Sequence, residues 1–130
     1  MTVIPIKEEQ DIVRARHAAK EQASKLGFGL VDQTRISTAC SELARNVFLY
    51  AGEGDARIEE LENPHAGLRI TFTDKGPGIE DVELAMKDGW SSSKSMGKGL
   101  PGAKRLCDRM EIYSKPAQGT TVIIEKWLLQ

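Results

Sequence analysis

From residue 8 onward, Ile12, Ala15, Ala19, Ala23 and Leu26 recur at intervals of three and four, which predicts an amphipathic helix over 8–26 that Gly27 stops. The same spacing in Ile36, Cys40, Leu43, Val47 and Tyr50 predicts a second helix, from an N-cap at about Asp32 to Ala51, closed by Gly52. Ahead of both, TVIPI (2–6) reads as a short strand, and Pro5 assigns it to a sheet edge. Ala56–Leu61 and Leu68–Thr73 flank the turn-like Asn63-Pro64-His65-Ala66-Gly67 and predict an antiparallel hairpin. Met110–Ser114 and Thr120–Trp127 predict a second strand pair across Lys115-Pro116-Ala117-Gln118-Gly119. Between the pairs, helices are expected over Asp81–Lys87 and from Pro101 to about Asp108, separated by the serine-rich stretch Ser91–Ser95. Strands that pair with their neighbours, with helices grouped elsewhere, imply a two-layer α+β sandwich and not a doubly wound parallel sheet.

Composition narrows the class. At 130 residues, 40% hydrophobic and 28% charged, the chain suits one domain over 1–130. A net charge of −1 with the two signs interspersed leaves no basic stripe, which sets nucleic-acid binding aside. No apolar run approaches the ~20 residues a bilayer span needs, and MTVIPIKEEQ is not a signal peptide, so a cytoplasmic setting is expected. Cys40 and Cys107 form no CxxC and read as two small buried thiols; His17 and His65 lack metal-ligand spacing and read as a helix-surface residue and a loop residue.

Three stretches carry candidate chemistry. In SELARN (41–46), Glu42 and Asn46 lie one turn apart on a flank of the second helix beside its apolar stripe. A carboxylate and a carboxamide there suit a hard cation and an incoming hydroxyl, although the pair also occurs on ordinary solvated helices. DKGPGI (74–79) sets Asp74 at a strand end, followed by glycines that let backbone approach a ligand; it is also the composition of a plain turn. GKGLPG (97–102) leads into a helix with Pro101 at its first position, so the bare backbone N–H groups of the glycines before it and Lys98, with Lys94 nearby, suit an anion; a hinge without a ligand is the alternative.

GKGLPG has the form G-x-G-x-x-G, yet it is no dinucleotide turn, because polar GWSSSKSM (89–96) and not a buried strand precedes it. The Walker pattern fails at Ser92, and a protein-kinase glycine loop fails at Lys104.

In this order and at these separations, the stretches resemble the nucleotide site of the GHKL, or Bergerat-fold, ATPases. Glu42 and Asn46 match the N box, Asp74 to Gly78 the first glycine box, Gly97 to Gly102 the second, and Gly119-Thr120 the late Gly-Thr beside adenine. SELARNVFLYAGEG, DKGPGIEDVELAMKDGWSSS and GKGLPGAKRLCDRMEIYS resemble more closely the RsbT-type serine-protein kinases, the switch kinases of stressosomes. LGFGLVDQTRISTACSEL (26–43) fits that group as well, while Lys98 stands where a small residue is common in it.

The resemblance implies a mixed, mostly antiparallel sheet covered on one face by helices, and ATP with Mg²⁺ as cofactors. It implies that Asp74 accepts from the adenine amine, with Thr120 assisting through water, and that Gly76, Gly78 and Ile79 adjoin base and ribose. Asn46 would ligate Mg²⁺, Gly97, Lys98, Gly99, Leu100 and Gly102 would close over the phosphates, and Glu42 would orient or deprotonate the attacking hydroxyl. Implied partners are STAS-domain scaffold proteins as substrates and a PP2C-type phosphatase activated on release. Rival readings are an ATP-binding anti-sigma factor that sequesters a sigma factor, a detached histidine-kinase catalytic domain, and an adaptor that binds no nucleotide. Arg14, Arg16 and Arg45 are candidates for docking, though solvated charges explain them equally.

Overall fold

A computed structural model of the chain describes residues 1–78 and 100–128. In chain order these form β1 (Thr2–Ile6), α1 (Glu9–Leu26), α2 (Leu30–Ala51), β2 (Gly54–Leu61), β3 (Gly67–Asp74), α3 (Leu100–Leu106), β4 (Arg109–Ser114) and β5 (Thr120–Trp127). The helix expected over 81–87 and the serine-rich stretch lie outside the described residues.

The strands form one sheet in the order β1-β2-β3-β5-β4, with every described pairing antiparallel where a partly mixed sheet was expected. Pro5 does sit on an edge strand, where its missing N–H costs no ladder bond. Along the strands, Ala56, Ile58, Leu68, Ile70, Phe72, Val122 and Ile124 are buried and meet Ile12, Ala15, Ala19, Ala23, Ile36, Cys40, Leu43 and Val47 from α1 and α2. The period of two in the strands and of 3.6 in the helices therefore face each other across a single core. On the other face Glu59, Arg69, Glu125, Arg109 and Glu111 form a row of alternating charge over four strands. Arg69 reaches Glu59 at 3.6 Å and Glu125 at 2.9 Å, and Arg109 bonds both Glu125 and Glu111. That pattern leaves the helices to one face, as a two-layer sandwich requires.

Helix ends follow local chemistry. Gly27 terminates α1 at φ 101°, a left-handed cap, while the N–H groups of Gly27 and Phe28 reach the carbonyls of Ser24 and Ala23. At the other end Asp11 accepts from the backbone N–H of Lys7 and Glu8, both at 3.0 Å. The start of α2 corrects the sequence reading, since its N-cap is Gly29 and not Asp32. Leu30 and Val31 are apolar yet exposed, so the first turn falls off the buried stripe that marks the rest of the helix. Asp32 lies within that turn, favoured by the helix dipole and paired with Arg35 at 3.1 Å. Cys107 corrects another reading, being half-buried while Cys40 is fully buried; burial pushes both thiols up to about 12. No described helix is long and apolar enough to cross a membrane.

Candidate functional site

The site grows from one end of the sheet. Asp74, Thr120 and Ser114 stand directly opposite one another on β3, β5 and β4, and they share the parity of the buried Phe72 and Val122. They therefore form one row on the helix-covered face. Asp74 Oδ1 accepts from the N–H of Gly76 at 2.9 Å and of Thr120 at 3.2 Å, and no described residue donates to Oδ2. Burial raises the Asp74 pKa above the ordinary carboxylate value, against the lowering effect of those two N–H donors. Beside it, Ser114 Oγ contacts Thr120 Oγ1 at 2.9 Å and donates to the Gly119 carbonyl at 3.1 Å. A cleft of about 560 Å³ borders this row, with Lys75, Lys115 and Gln118 also in its wall.

Close backbone approach explains the glycines here. A side chain at Gly76 would stand 2.6 Å from Ala51 Cβ, at the C-terminal end of α2. Gly78 has φ 76°, and a Cβ there would lie within 2.1 Å of the Lys115 carbonyl. The loops after β3 and β4 are thus pressed backbone to backbone, and the Ala117 N–H donates to the Pro77 carbonyl at 2.6 Å. Gly102, by contrast, has nothing among the described residues within 4 Å of where a Cβ would be. Leu100 is a core residue at 1% exposure, so only its backbone can face a ligand.

On α2, Glu42 and Asn46 are half-buried and one turn apart, on the flank beside Leu43 and Val47. The Asn46 carboxamide makes no hydrogen bond to a described residue, and Glu42 meets Arg45 only at 3.8 Å. Asn46 thus has an oxygen available for a hard cation such as Mg²⁺, whose ligands are oxygens. Val47 and Ala51 connect this helix to the sheet end, because the added Cβ of Gly54 would meet Val47 Cγ1 at 2.7 Å and Asp74 Cβ at 3.2 Å. Ile79, Gly97, Lys98 and Gly99 lie outside the described residues. Ser114 was missed by the sequence reading. Its signal was the register of the β4–β5 hairpin, which sets it opposite Thr120.

The profile described as histidine kinase-, DNA gyrase B-, and HSP90-like ATPase matches residues 31–130. The chain belongs to this ATPase family. The serine/threonine-protein kinase RsbT of Bacillus subtilis (strain 168) is 48% identical over 126 residues, covering 96% of this chain and 95% of that protein. Identity of that extent puts the chain with the RsbT-type branch of the family. The anti-sigma F factor of Pasteuria penetrans is 31% identical, over 88% of this chain and 81% of its own length. Among solved structures, the catalytic domain of the histidine kinase ThkA superposes with a TM-score of 0.57 at 18% identity, over 98% of both chains. Full-length ShkA in complex with AMPPNP gives 0.58 at 15% identity, over 97% of this chain and 31% of that one. These two likenesses establish the α+β fold.

Proposed function

We propose that this chain is an ATP-dependent serine/threonine-protein kinase whose single domain, residues 1–130, phosphorylates STAS-domain scaffold proteins in the cytoplasm and, once released, activates a PP2C-type phosphatase. The observation that carries the reading is the Asp74–Thr120 pair. A half-buried carboxylate is held by two backbone N–H groups on one oxygen while the other is left for a donor. An exocyclic amine of adenine is such a donor, and a carboxylate–amine hydrogen bond contributes about 1.5–3 kcal/mol. Gly76 and Gly78 bring backbone against base and ribose, with Ile79 next in the chain. Gly97, Lys98, Gly99 and Gly102, with the backbone of Leu100, take the phosphates.

Asn46 offers the carboxamide oxygen for Mg²⁺. Bound there, the ion would supply charge neutralisation across the phosphates. Glu42, one turn away, orients the acceptor hydroxyl and takes its proton. Phosphoryl transfer depends mainly on positioning and electrostatics, so a small constellation suffices.

The test is Glu42→Ala. ATP affinity should stay within about twofold, while phosphate transfer to a STAS-domain partner slows by roughly 100- to 10,000-fold. Transfer at the normal rate would remove Glu42 from the chemistry. The 31% identity to an anti-sigma factor supports a second reading, sequestration of a sigma factor. Capture experiments separate the two: a sigma factor retained in an ATP-dependent complex, with no phosphoserine formed on any STAS protein, favours sequestration.

A further inference from the structure

We propose that Ser114, as a positioning residue, fixes the Thr120 hydroxyl as a hydrogen-bond acceptor toward the nucleotide base and thereby sharpens selection of adenine over a 6-oxopurine. The inference rests on Asp74 and Thr120 being the base site, and it adds a residue outside the glycine and asparagine motifs.

Proton accounting carries it. A serine hydroxyl has one proton to donate, and so has a threonine hydroxyl. Ser114 Oγ lies 3.1 Å from the Gly119 carbonyl, which has no proton of its own, so that contact uses the Ser114 proton. The second contact, Ser114 Oγ to Thr120 Oγ1 at 2.9 Å, must then use the Thr120 proton. The arrangement that satisfies both bonds leaves Thr120 Oγ1 with lone pairs only. Thr120 is 9% exposed and its own N–H is bonded to Asp74, so the side chain has little freedom to turn. Asp74 Oδ2 and Thr120 Oγ1 are thus two acceptors on residues that stand directly opposite each other at the sheet end. An amino group, directly or through a water, suits such a pair. A ring carbonyl faces two oxygens and finds no donor.

Removing the Ser114 hydroxyl frees the Thr120 proton to turn outward and donate to a carbonyl. The measurement is calorimetric titration of Mg-ATP and of Mg-ITP, which differs from ATP at position 6 of the purine and lacks the guanine amine. In Ser114→Ala, ITP should tighten so that the ATP-to-ITP preference falls about tenfold, the equivalent of one hydrogen bond, with ATP affinity nearly constant. Ser114→Thr keeps the hydroxyl and should keep the wild-type preference. If Ser114→Ala does not fold, Ser114→Cys, whose thiol is a weak hydrogen-bond partner, carries the same expectation. A preference unchanged in these variants overturns the inference, and so does equal weakening of both nucleotides, which marks a packing role alone. A wild-type protein that binds neither nucleotide defeats the base-site reading itself; one that binds ATP while Ser114→Ala keeps full preference defeats only the role of Ser114.

Discussion

Replacing Asp74 by asparagine should separate ligand binding from folding. Asparagine keeps a carbonyl oxygen where Oδ1 now accepts from the N–H groups of Gly76 and Thr120 at 2.9 and 3.2 Å, so the fold loses neither bond. What it loses is a charge that burial disfavours. Because the folded-state pKa is raised, the folded protein holds this proton more tightly than the unfolded chain does. The group's relative stabilisation is therefore full below the ordinary carboxylate pKa and is lost as pH rises through the folded value. At pH 7.5 the wild type bears the whole ionisation cost and Asp74→Asn bears none, so without nucleotide the variant should melt at the same temperature or higher. Asp74→Ala removes both of these hydrogen bonds. At about 0.5–1.5 kcal/mol each, that costs about 1–3 kcal/mol. With an unfolding entropy of about 2.1 cal/mol/K per residue over 130 residues, the drop in Tm should be roughly 4–11 °C. On the proposed role of Asp74 as acceptor for the adenine amine, both variants should lose about 10- to 150-fold in ATP affinity. Differential scanning calorimetry without nucleotide, paired with titration of Mg-ATP, reads the two effects separately. An Asp74→Asn protein that melts well below wild type, or that binds ATP unimpaired, refutes the reasoning.

Further expectations concern the neighbouring backbone and a helix cap. Gly78→Ala combines a positive φ with a Cβ placed 2.1 Å from the Lys115 carbonyl, and should destabilise the protein by about 2–4 kcal/mol, read as a fall in the denaturation midpoint with an unchanged slope. A midpoint within error of wild type would show that the two loops part easily. Asp11 is held below its ordinary pKa, mainly by the Lys7 and Glu8 N–H groups, so its contribution is present above the unfolded pKa and lost as pH falls through the folded one. Thermal melts from pH 7 to pH 2 should therefore show an acid-side loss that is smaller in Asp11→Asn; identical profiles would remove Asp11 from the cap.

Much of the fold was legible because two periods, 3.6 and 2, ran along separate segments and Gly27 and Gly52 punctuated the helices at their ends. The beginning of α2 was not legible. Exposed Leu30 and Val31 break the expected polarity of a first turn, and Gly29 caps by backbone geometry without a side-chain signature. Asp74 and Thr120 were found as members of separate motifs, and the sheet brings them together. Ser114 was not found, because a hydroxyl at a strand end acquires meaning only from the register across β4 and β5. The closeness of Gly78 to Lys115 was hidden for the same reason, being a contact between two loops far apart in the chain.

Asp74 and Thr120 are separated by 46 positions, and the hydrogen bond between them spans the β3–β5 junction. With α2 and β3 formed, half of the proposed purine seat is still missing, because Thr120 arrives with β5. On the proposed reading of the site, nucleotide binding should therefore appear only once β5 docks against β3. ATP, by bridging the same junction, should act as a late fastener that slows the loss of that strand.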